Sequence, residues 1–224
     1  MNKSILHILT FIIFTVFLAS CVNTHWSSMT NKVVKHADTF RNKIDKYEAS
    51  RSQTNYYINE TAQRTIKSLN SKTPDFGNIS KYWEREWKVV HSHYEQLERN
   101  FTKVGMESNE YFKIIDNVAN DIIDPKMKQA ELKKNQELKT NWITANNAVD
   151  KHIKSLSQVI QAGDDFHKTM LGATLRARPE GSVDNIKRIL EKARLLLKDL
   201  INLTTEGRNL IPGRNPQEEN TKEN

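Results

Sequence analysis

Cysteine, glycine and proline, which define several classes of protein, are scarce in this sequence. Its 224 residues include one cysteine, 7 glycines and 5 prolines. Collagen-like and low-complexity chains contain far more glycine and proline. A single cysteine can form neither an internal disulfide nor a Cys₂His₂ or Cys₄ zinc site. These classes are excluded, and the length of the chain favours one domain, or at most two.

Apolar residues are also few, and charged residues are many. Hydrophobic residues make up 37% of the chain and charged residues 27%, the mean hydropathy is −0.69, and the formal net charge is +7. The sequence has no alternating strand pattern and no hairpin signal. This composition suits helices that each bury one stripe of side chains, so we expect an all-α fold.

The first 20 residues differ from the rest of the chain. Lys3 precedes an apolar stretch of about fourteen residues, from Ile5 to Leu18. The apolar core of a signal peptide has about 7–15 residues, whereas a transmembrane helix needs about 20. The length therefore predicts a cleaved signal peptide over residues 1–20, with an uncleaved membrane anchor as the alternative.

This stretch ends in Leu18-Ala19-Ser20-Cys21, an aliphatic residue, two small residues and the only cysteine. The segment resembles the lipobox of bacterial lipoproteins, and the resemblance covers only the first 21 residues. It implies that Cys21 receives diacylglycerol, that signal peptidase II cleaves between Ser20 and Cys21, and that the new amine is acylated, for example with palmitate. Two or three acyl chains anchor a protein stably. The alternative is a buried free cysteine after an ordinary signal peptide.

The same resemblance implies a location. In enterobacteria an aspartate directly after the lipidated cysteine retains a lipoprotein at the inner membrane, and this chain has Val22 there. We therefore expect an exported, lipid-anchored protein, on the outer membrane and facing the periplasm if the source has two membranes, and otherwise on the cell surface. Export also disfavours nucleic acid as a partner.

A heptad pattern indicates a long helix in the middle of the chain. Eleven of twelve positions spaced alternately four and three residues apart are apolar or aromatic, which exceeds the three or four heptads that indicate a coiled coil. The pattern stays in phase past Gly105, so we predict one continuous or slightly kinked helix. The twelve positions are Trp83, Trp87, Val90, Tyr94, Leu97, Phe101, Val104, Ser108, Tyr111, Ile115, Val118 and Ile122.

We call such a stripe of heptad positions a seam, and a second seam predicts the next helix. It begins at Asp124-Pro125, an N-cap followed by proline at the first helical position, and Arg178-Pro179-Glu180-Gly181 closes it. The seam positions are Leu138, Trp142, Ala145, Val149, His152, Leu156, Val159, Gly163, Phe166, Met170 and Ala173.

Two more helices complete the prediction. The first runs from about Met29 to Leu69, and we expect its second half to fray or bend because the seam becomes polar there. The last begins near Ser182, has the widest apolar stripe, and ends at Gly207, a typical C-terminal stop.

Short connections between long helices imply antiparallel neighbours. The predicted fold is an elongated antiparallel four-helix, coiled-coil-like bundle. A domain organisation follows, with a lipoprotein signal peptide over 1–20, a lipidated tether over 21–28, the helical bundle over 29–207 and a disordered C-terminal tail over 208–224.

Few residues point to catalysis. The HExxH and GxSxG motifs and a glycine-rich phosphate loop are all missing from the sequence, and His91 and His93 point about 200° apart on a helix. Asp164, Asp165 and His167 bring acids and an imidazole together, which suggests a metal or acid–base site or simply a polar kink. We predict no catalytic residues, no metal and no cofactor.

Two groups of seam residues have alternative interpretations. His152 is a pH-sensitive core group or a hydrogen-bonded seam residue. Trp83, Trp87 and Tyr94 form an aromatic stripe, which is a ligand platform or, as we expect, part of the core.

A cluster of basic residues is the candidate binding surface. It suits lipid phosphates or an acidic envelope polymer, or it is a solvated face in which Glu191 and Asp199 are interleaved. Its members are Arg176, Arg178, Lys187, Arg188, Lys192, Arg194 and Lys198.

These observations predict a non-enzymatic envelope lipoprotein. It is attached to its membrane partner through diacylglycerol and N-acyl chains on Cys21. Its helices act as a spacer or protein-interaction module for an unknown envelope protein or cell-wall polymer. The alternative is a sensory or regulatory bundle that binds a small ligand or an ion. Heptad seams also permit a homo-oligomer, in which a second copy completes the seam that the polar half of the first helix leaves open.

Overall fold

A computed structural model describes the backbone of residues 3–176 and 181–210 and the side chains of residues 29–175 and 181–210. The side chains of the predicted signal peptide and tether, and all of 211–224, lie outside these ranges. The helices are α1 (Lys3–Leu69), α2 (Phe76–Asn120), α3 (Pro125–Arg176), α4 (Ser182–Asp199) and α5 (Ile201–Leu210). No β-strand occurs in the described backbone, so the all-α prediction is confirmed.

The helices pack as a four-membered bundle. Helix α1 packs against α2, α2 against α3, and α3 against both α4 and α5. The ring closes where α4 and α5, which together form the fourth member, pack against α1. None of the helices within the described ranges is long and apolar enough to cross a membrane.

Side-chain caps begin the two long central helices. The Asp75 carboxylate accepts a hydrogen bond from the Asn78 backbone N–H at 3.0 Å, and the Asp124 carboxylate accepts one from the Met127 N–H at 2.8 Å. The predicted start of α3 at Asp124-Pro125 is therefore confirmed. Before α4, Gly181 has a φ of +72°, a left-handed conformation that glycine adopts without steric cost.

The two predicted seams form most of the core. On α2 the seam is buried from Trp83 to Tyr111 apart from a half-buried Phe101, and the helix is continuous through Gly105 as predicted. On α3 the seam is largely buried from Trp142 to Ala173, but Leu138 is 37% exposed, which corrects its assignment to the core. The reason is that α5 packs near Trp142 through Gly207, and among the described residues no fourth helix covers the preceding turns of α3.

The polar half of α1 does not fray, contrary to the prediction. The helix continues to Leu69, and Thr54, Thr61 and Thr65 are buried. The hydroxyls of Thr54 and Thr65 donate to backbone carbonyls one turn earlier, at 2.8 and 2.7 Å. A threonine bonded in this way presents its methyl group to neighbouring helices and packs like a small apolar residue. These threonines are covered within one chain, so they need no second copy.

The C-terminal end of the bundle also differs from the prediction. Leu200 separates α4 from α5, and Gly207 lies within α5 and does not end it, because that helix continues to Leu210. A Cβ atom at Gly207 would lie 2.3 Å from Cδ1 of Ile44. This glycine therefore permits close approach of α5 to α1, which is a packing role.

Candidate functional site

The aromatic stripe lies inside the interface between α2 and α3. The Trp83 and Trp87 rings are stacked with centroids 4.7 Å apart, and Phe166 packs edge-on against Trp83 at 4.6 Å. Each indole N–H donates to a backbone carbonyl of α3, Trp83 to Gly163 at 2.9 Å and Trp87 to Ile160 at 3.1 Å. Both polar atoms are satisfied by the protein itself, so the stripe is part of the core, as expected.

Gly163 allows the Trp87 indole to reach the α3 backbone. A Cβ atom at this position would lie 2.0 Å from Cε2 and Cζ2 of Trp87, far inside van der Waals contact. The heptad spacing places Gly163 on the seam but does not reveal this role, which depends on the residue that faces it.

The histidines and acids singled out in the sequence do not converge. His91 Nε2 lies 2.9 Å from Oδ1 of Asp164 on α3, whereas the His93 ring stacks on Tyr57 of α1 at 4.2 Å. Asp165 accepts from Lys168 at 2.9 Å, which lowers the pKa of Asp165. His167 Nδ1 lies 3.5 Å from the hydroxyl of Ser80 on α2. Among the side chains in the described ranges, no three His, Cys, Asp or Glu residues are placed to hold a metal ion.

Pairs of histidine and carboxylate connect successive helices. His36 on α1 lies 3.1 Å from Glu107 on α2. The pair of His91 and Asp164 joins α2 to α3, and His152 Nδ1 lies 4.0 Å from Asp199 Oδ2, next to the end of α4. His152 is partly exposed, so it lies at the edge of the seam and not at its centre.

A polar network that the sequence analysis missed holds the junction of α4 and α5 against α1. The Tyr47 hydroxyl donates to the Leu200 carbonyl at 3.0 Å, and the Arg51 guanidinium donates to the Leu197 carbonyl at 3.0 Å and to Glu48. The Glu48 carboxylate also accepts from Thr204 at 2.9 Å. Carbonyls at the end of α4 are therefore satisfied by side chains of α1. The one sequence signal was Arg51 itself, which continues the heptad spacing of Ile44 and Tyr47.

These hydrogen bonds shift the ionisation of the network. Burial raises the pKa of the Tyr47 phenol, so the hydroxyl stays a donor. Burial also works against ionisation of Glu48, but hydrogen bonds from Arg51 and Thr204 outweigh it and lower the pKa of Glu48. The network therefore retains its charges near neutral pH.

Five of the seven predicted basic residues lie on α4, and all five are exposed: Lys187, Arg188, Lys192, Arg194 and Lys198. The side chains of Arg176 and Arg178 lie outside the described ranges. The structure thus brings most of the predicted basic surface onto one helix, and we call these five residues the α4 basic face.

The α4 basic face borders a groove between α3 and α4. The groove has a volume of about 350 Å³ and an apolar floor of Val159, Ala162, Phe166 and Ile189. Its rim carries polar and charged side chains: Gln158, Asp165, Thr169, Asn185, Arg188 and Lys192. A cationic rim above an apolar floor can hold an amphipathic anionic ligand.

Comparisons with known proteins give no family for the chain: no protein-family model, curated protein or solved structure matches it significantly.

Proposed function

We propose that this protein is a cell-envelope lipoprotein, anchored through acyl chains on Cys21, whose bundle acts as a spacer and protein-interaction module. One observation carries the proposal. Helix α1 is a single helix from Lys3 to Leu69, so the segment that contains Cys21 continues into the bundle without a loop. The part of α1 from Met29 to Leu69 rises by about 60 Å at 1.5 Å per residue. A lipid anchor at one end would hold the other end at a set distance from the bilayer.

The direction of the bundle relative to this anchor follows from contacts between helices. His36 near the start of the described side chains pairs with Glu107 of α2, so the turn between α2 and α3 lies toward the predicted anchor. The opposite end holds the turn between α1 and α2 and the start of α4, because Gly77 lies against Thr174 near the end of α3. We call this second end the distal end.

The α4 basic face lies toward the distal end. Arg194 donates to the side chain of Asn59 on α1 at 3.3 Å, and Asn59 follows Cys21 by roughly 57 Å of helix at 1.5 Å per residue. This separation is several Debye lengths at physiological salt, about 8 Å each. Lipid phosphates of the anchoring membrane are therefore a poor match for these cations, and a separate envelope partner is a better one.

The lipid anchor is tested by metabolic labelling. The full chain expressed in bacteria should incorporate an alkyne analogue of palmitate, and an inhibitor of signal peptidase II should cause an unprocessed precursor to accumulate. Cys21→Ser should abolish both effects. The matched control is Cys21→Ser/Ser27→Cys, which keeps one thiol but moves it away from the cleavage site. Labelling that persists in this control would contradict lipidation at Cys21.

The spacer role is tested by crosslinking in living cells. A photo-crosslinking amino acid replaces Lys72 in the distal turn or the exposed Ile123 in the turn near the anchor. We expect one recurrent envelope protein to be captured from position 72 and not from position 123. Equal capture at both positions would count against a partner held at the distal end. The Trp83 and Trp87 indoles donate to α3, so the aromatic stripe gives no support to the alternative of a small ligand bound there.

A further inference from the structure

The cations of the α4 basic face have no acidic partner among the side chains that the structure describes. Some lysines elsewhere on the surface pair with carboxylates one turn away, for example Lys88 with Glu84 at 2.8 Å and Lys154 with Asp150 at 2.5 Å. Among the side chains within the described ranges, none of the five cations of this face forms an ion pair. Arg188 bonds to Asn185, and Lys192 lies 3.4 Å from Gln158. Within the described residues, the positive charge of this face is therefore not neutralised by direct ion pairs.

The groove beside these cations adds an apolar component. Phe166 and Ile189 are 3% and 7% exposed, so the floor is packed and preformed. The one carboxylate on the rim, Asp165, is neutralised by Lys168 at 2.9 Å. Leu195, three residues after Lys192 on α4 and outside the groove lining, is 57% exposed. The groove has a volume of about 350 Å³, which is near the lower end of the roughly 300–1,000 Å³ that is typical of ligand sites.

We infer that this groove is the docking site for an acidic peptide segment of a partner protein. An apolar side chain of that segment would fill the floor, and its carboxylates would face Arg188 and Lys192. The positive rim favours a partner of negative charge, and the apolar floor requires that this partner also present an apolar side chain. The inference rests on the proposed interaction role but not on the lipid anchor, so the two fail separately.

The test uses the full chain purified in a non-ionic detergent. The probe is a fluorescein-labelled peptide of about 15 residues, with leucine at helical i, i+3, i+4 and i+7 spacing and glutamate at most other positions. Fluorescence polarisation should show saturable binding that weakens as salt is raised. A peptide with serine in place of each leucine should bind at least about tenfold more weakly, a loss of about 1.4 kcal/mol.

Three variants locate the binding. Arg188→Glu/Lys192→Glu reverses the charge at the rim and should weaken binding by about tenfold or more. Thr169→Trp, at an exposed rim position, fills the groove without changing any charge and should weaken it similarly. Lys103→Glu/Lys113→Glu changes the net charge equally on exposed positions of α2. This matched control should bind like the unmodified chain.

Two results would overturn the inference. Equal binding of the serine peptide would mean that the floor is not used and that the surface attracts any polyanion. Equal weakening by the Lys103 and Lys113 control would mean that net charge, and not the groove, controls binding. Cys21→Ser should bind the peptide normally, because a failed anchor leaves the groove intact.

Discussion

Gly163 and Gly105 lie inside long helices, yet alanine at the two positions should have opposite effects on stability. Alanine in a helix interior is favoured over glycine by about 1 kcal/mol. At Gly105 a new Cβ atom meets nothing within 4 Å, so Gly105→Ala should gain most of this amount. At Gly163 the new Cβ atom would lie 2.0 Å from the Trp87 indole.

The cost at Gly163 follows from moving that indole. Ordinary contact needs 3.4–4 Å, so the ring must retreat by roughly 1.5 Å, and overpacking of this kind costs about 1–3 kcal/mol. The Trp87 N–H then loses the Ile160 carbonyl, and an unsatisfied buried donor costs about 1–3 kcal/mol more. After subtracting the helix-propensity gain, Gly163→Ala should lower the free energy of unfolding by about 3 kcal/mol.

The assay is thermal and urea unfolding followed by far-UV circular dichroism. A loss of about 3 kcal/mol corresponds to a fall in Tm of roughly 6–12 °C for a chain of this size. In a Trp87→Leu background the same Gly163→Ala substitution should cost nothing or stabilise slightly, because the clashing ring is gone. The reasoning is refuted if Gly163→Ala is as stable as Gly105→Ala, or if its cost is unchanged when Trp87 is absent.

Three further predictions concern α1 and its contacts. Tyr47→Phe should lower the free energy of unfolding by about 1 kcal/mol, because the Leu200 carbonyl loses its buried donor; no change in urea unfolding would contradict that hydrogen bond. Arg51→Leu should cost more, about 1–3 kcal/mol, because the Leu197 carbonyl loses its donor and the Glu48 carboxylate keeps only the bond from Thr204; Arg51→Lys, which cannot make both contacts, should recover only part. Burial lowers the pKa of His93 from 6.5, so between the lowered value and 6.5 the unfolded chain binds a proton that the folded chain does not. The free energy of unfolding should therefore fall as the pH drops through that window, and His93→Gln should show a shallower fall in parallel urea titrations; an identical slope would argue against this cause.

The fold could be predicted because its signal is carried by many residues in phase. The seam from Trp83 to Tyr111 tolerates one serine and one neighbouring glycine without losing its period, and proline after aspartate fixes the start of α3. The predictions from sequence were wrong where one residue type can play two structural roles. Gly207 is a typical helix stop, but here it permits close contact with Ile44. Buried threonines look polar in sequence until their hydroxyls bond to their own helix.

The candidate site was predictable only in outline. The basic residues near the end of the chain are visible in sequence because they recur on one helical segment. Their lack of ion pairs among the described residues is not visible in sequence, because it depends on which side chains of α3 and α1 face them. The groove likewise requires Phe166 and Ile189 to meet across two helices. The same limit applies to Arg51, whose acceptor is a backbone carbonyl 146 residues away in sequence.

The contact of α1 with the last two helices determines when the bundle can be completed. Tyr47 and Leu200 are 153 residues apart in sequence, and Glu48 and Thr204 are 156 apart. At about 5–20 residues per second, the partner of Tyr47 is synthesised roughly 8–30 seconds after Tyr47 itself. Until then α1, α2 and α3 can associate only as an open sheet of helices with an uncovered apolar side. If the chain is exported as proposed, this order of synthesis keeps it from closing before its full length is available for translocation.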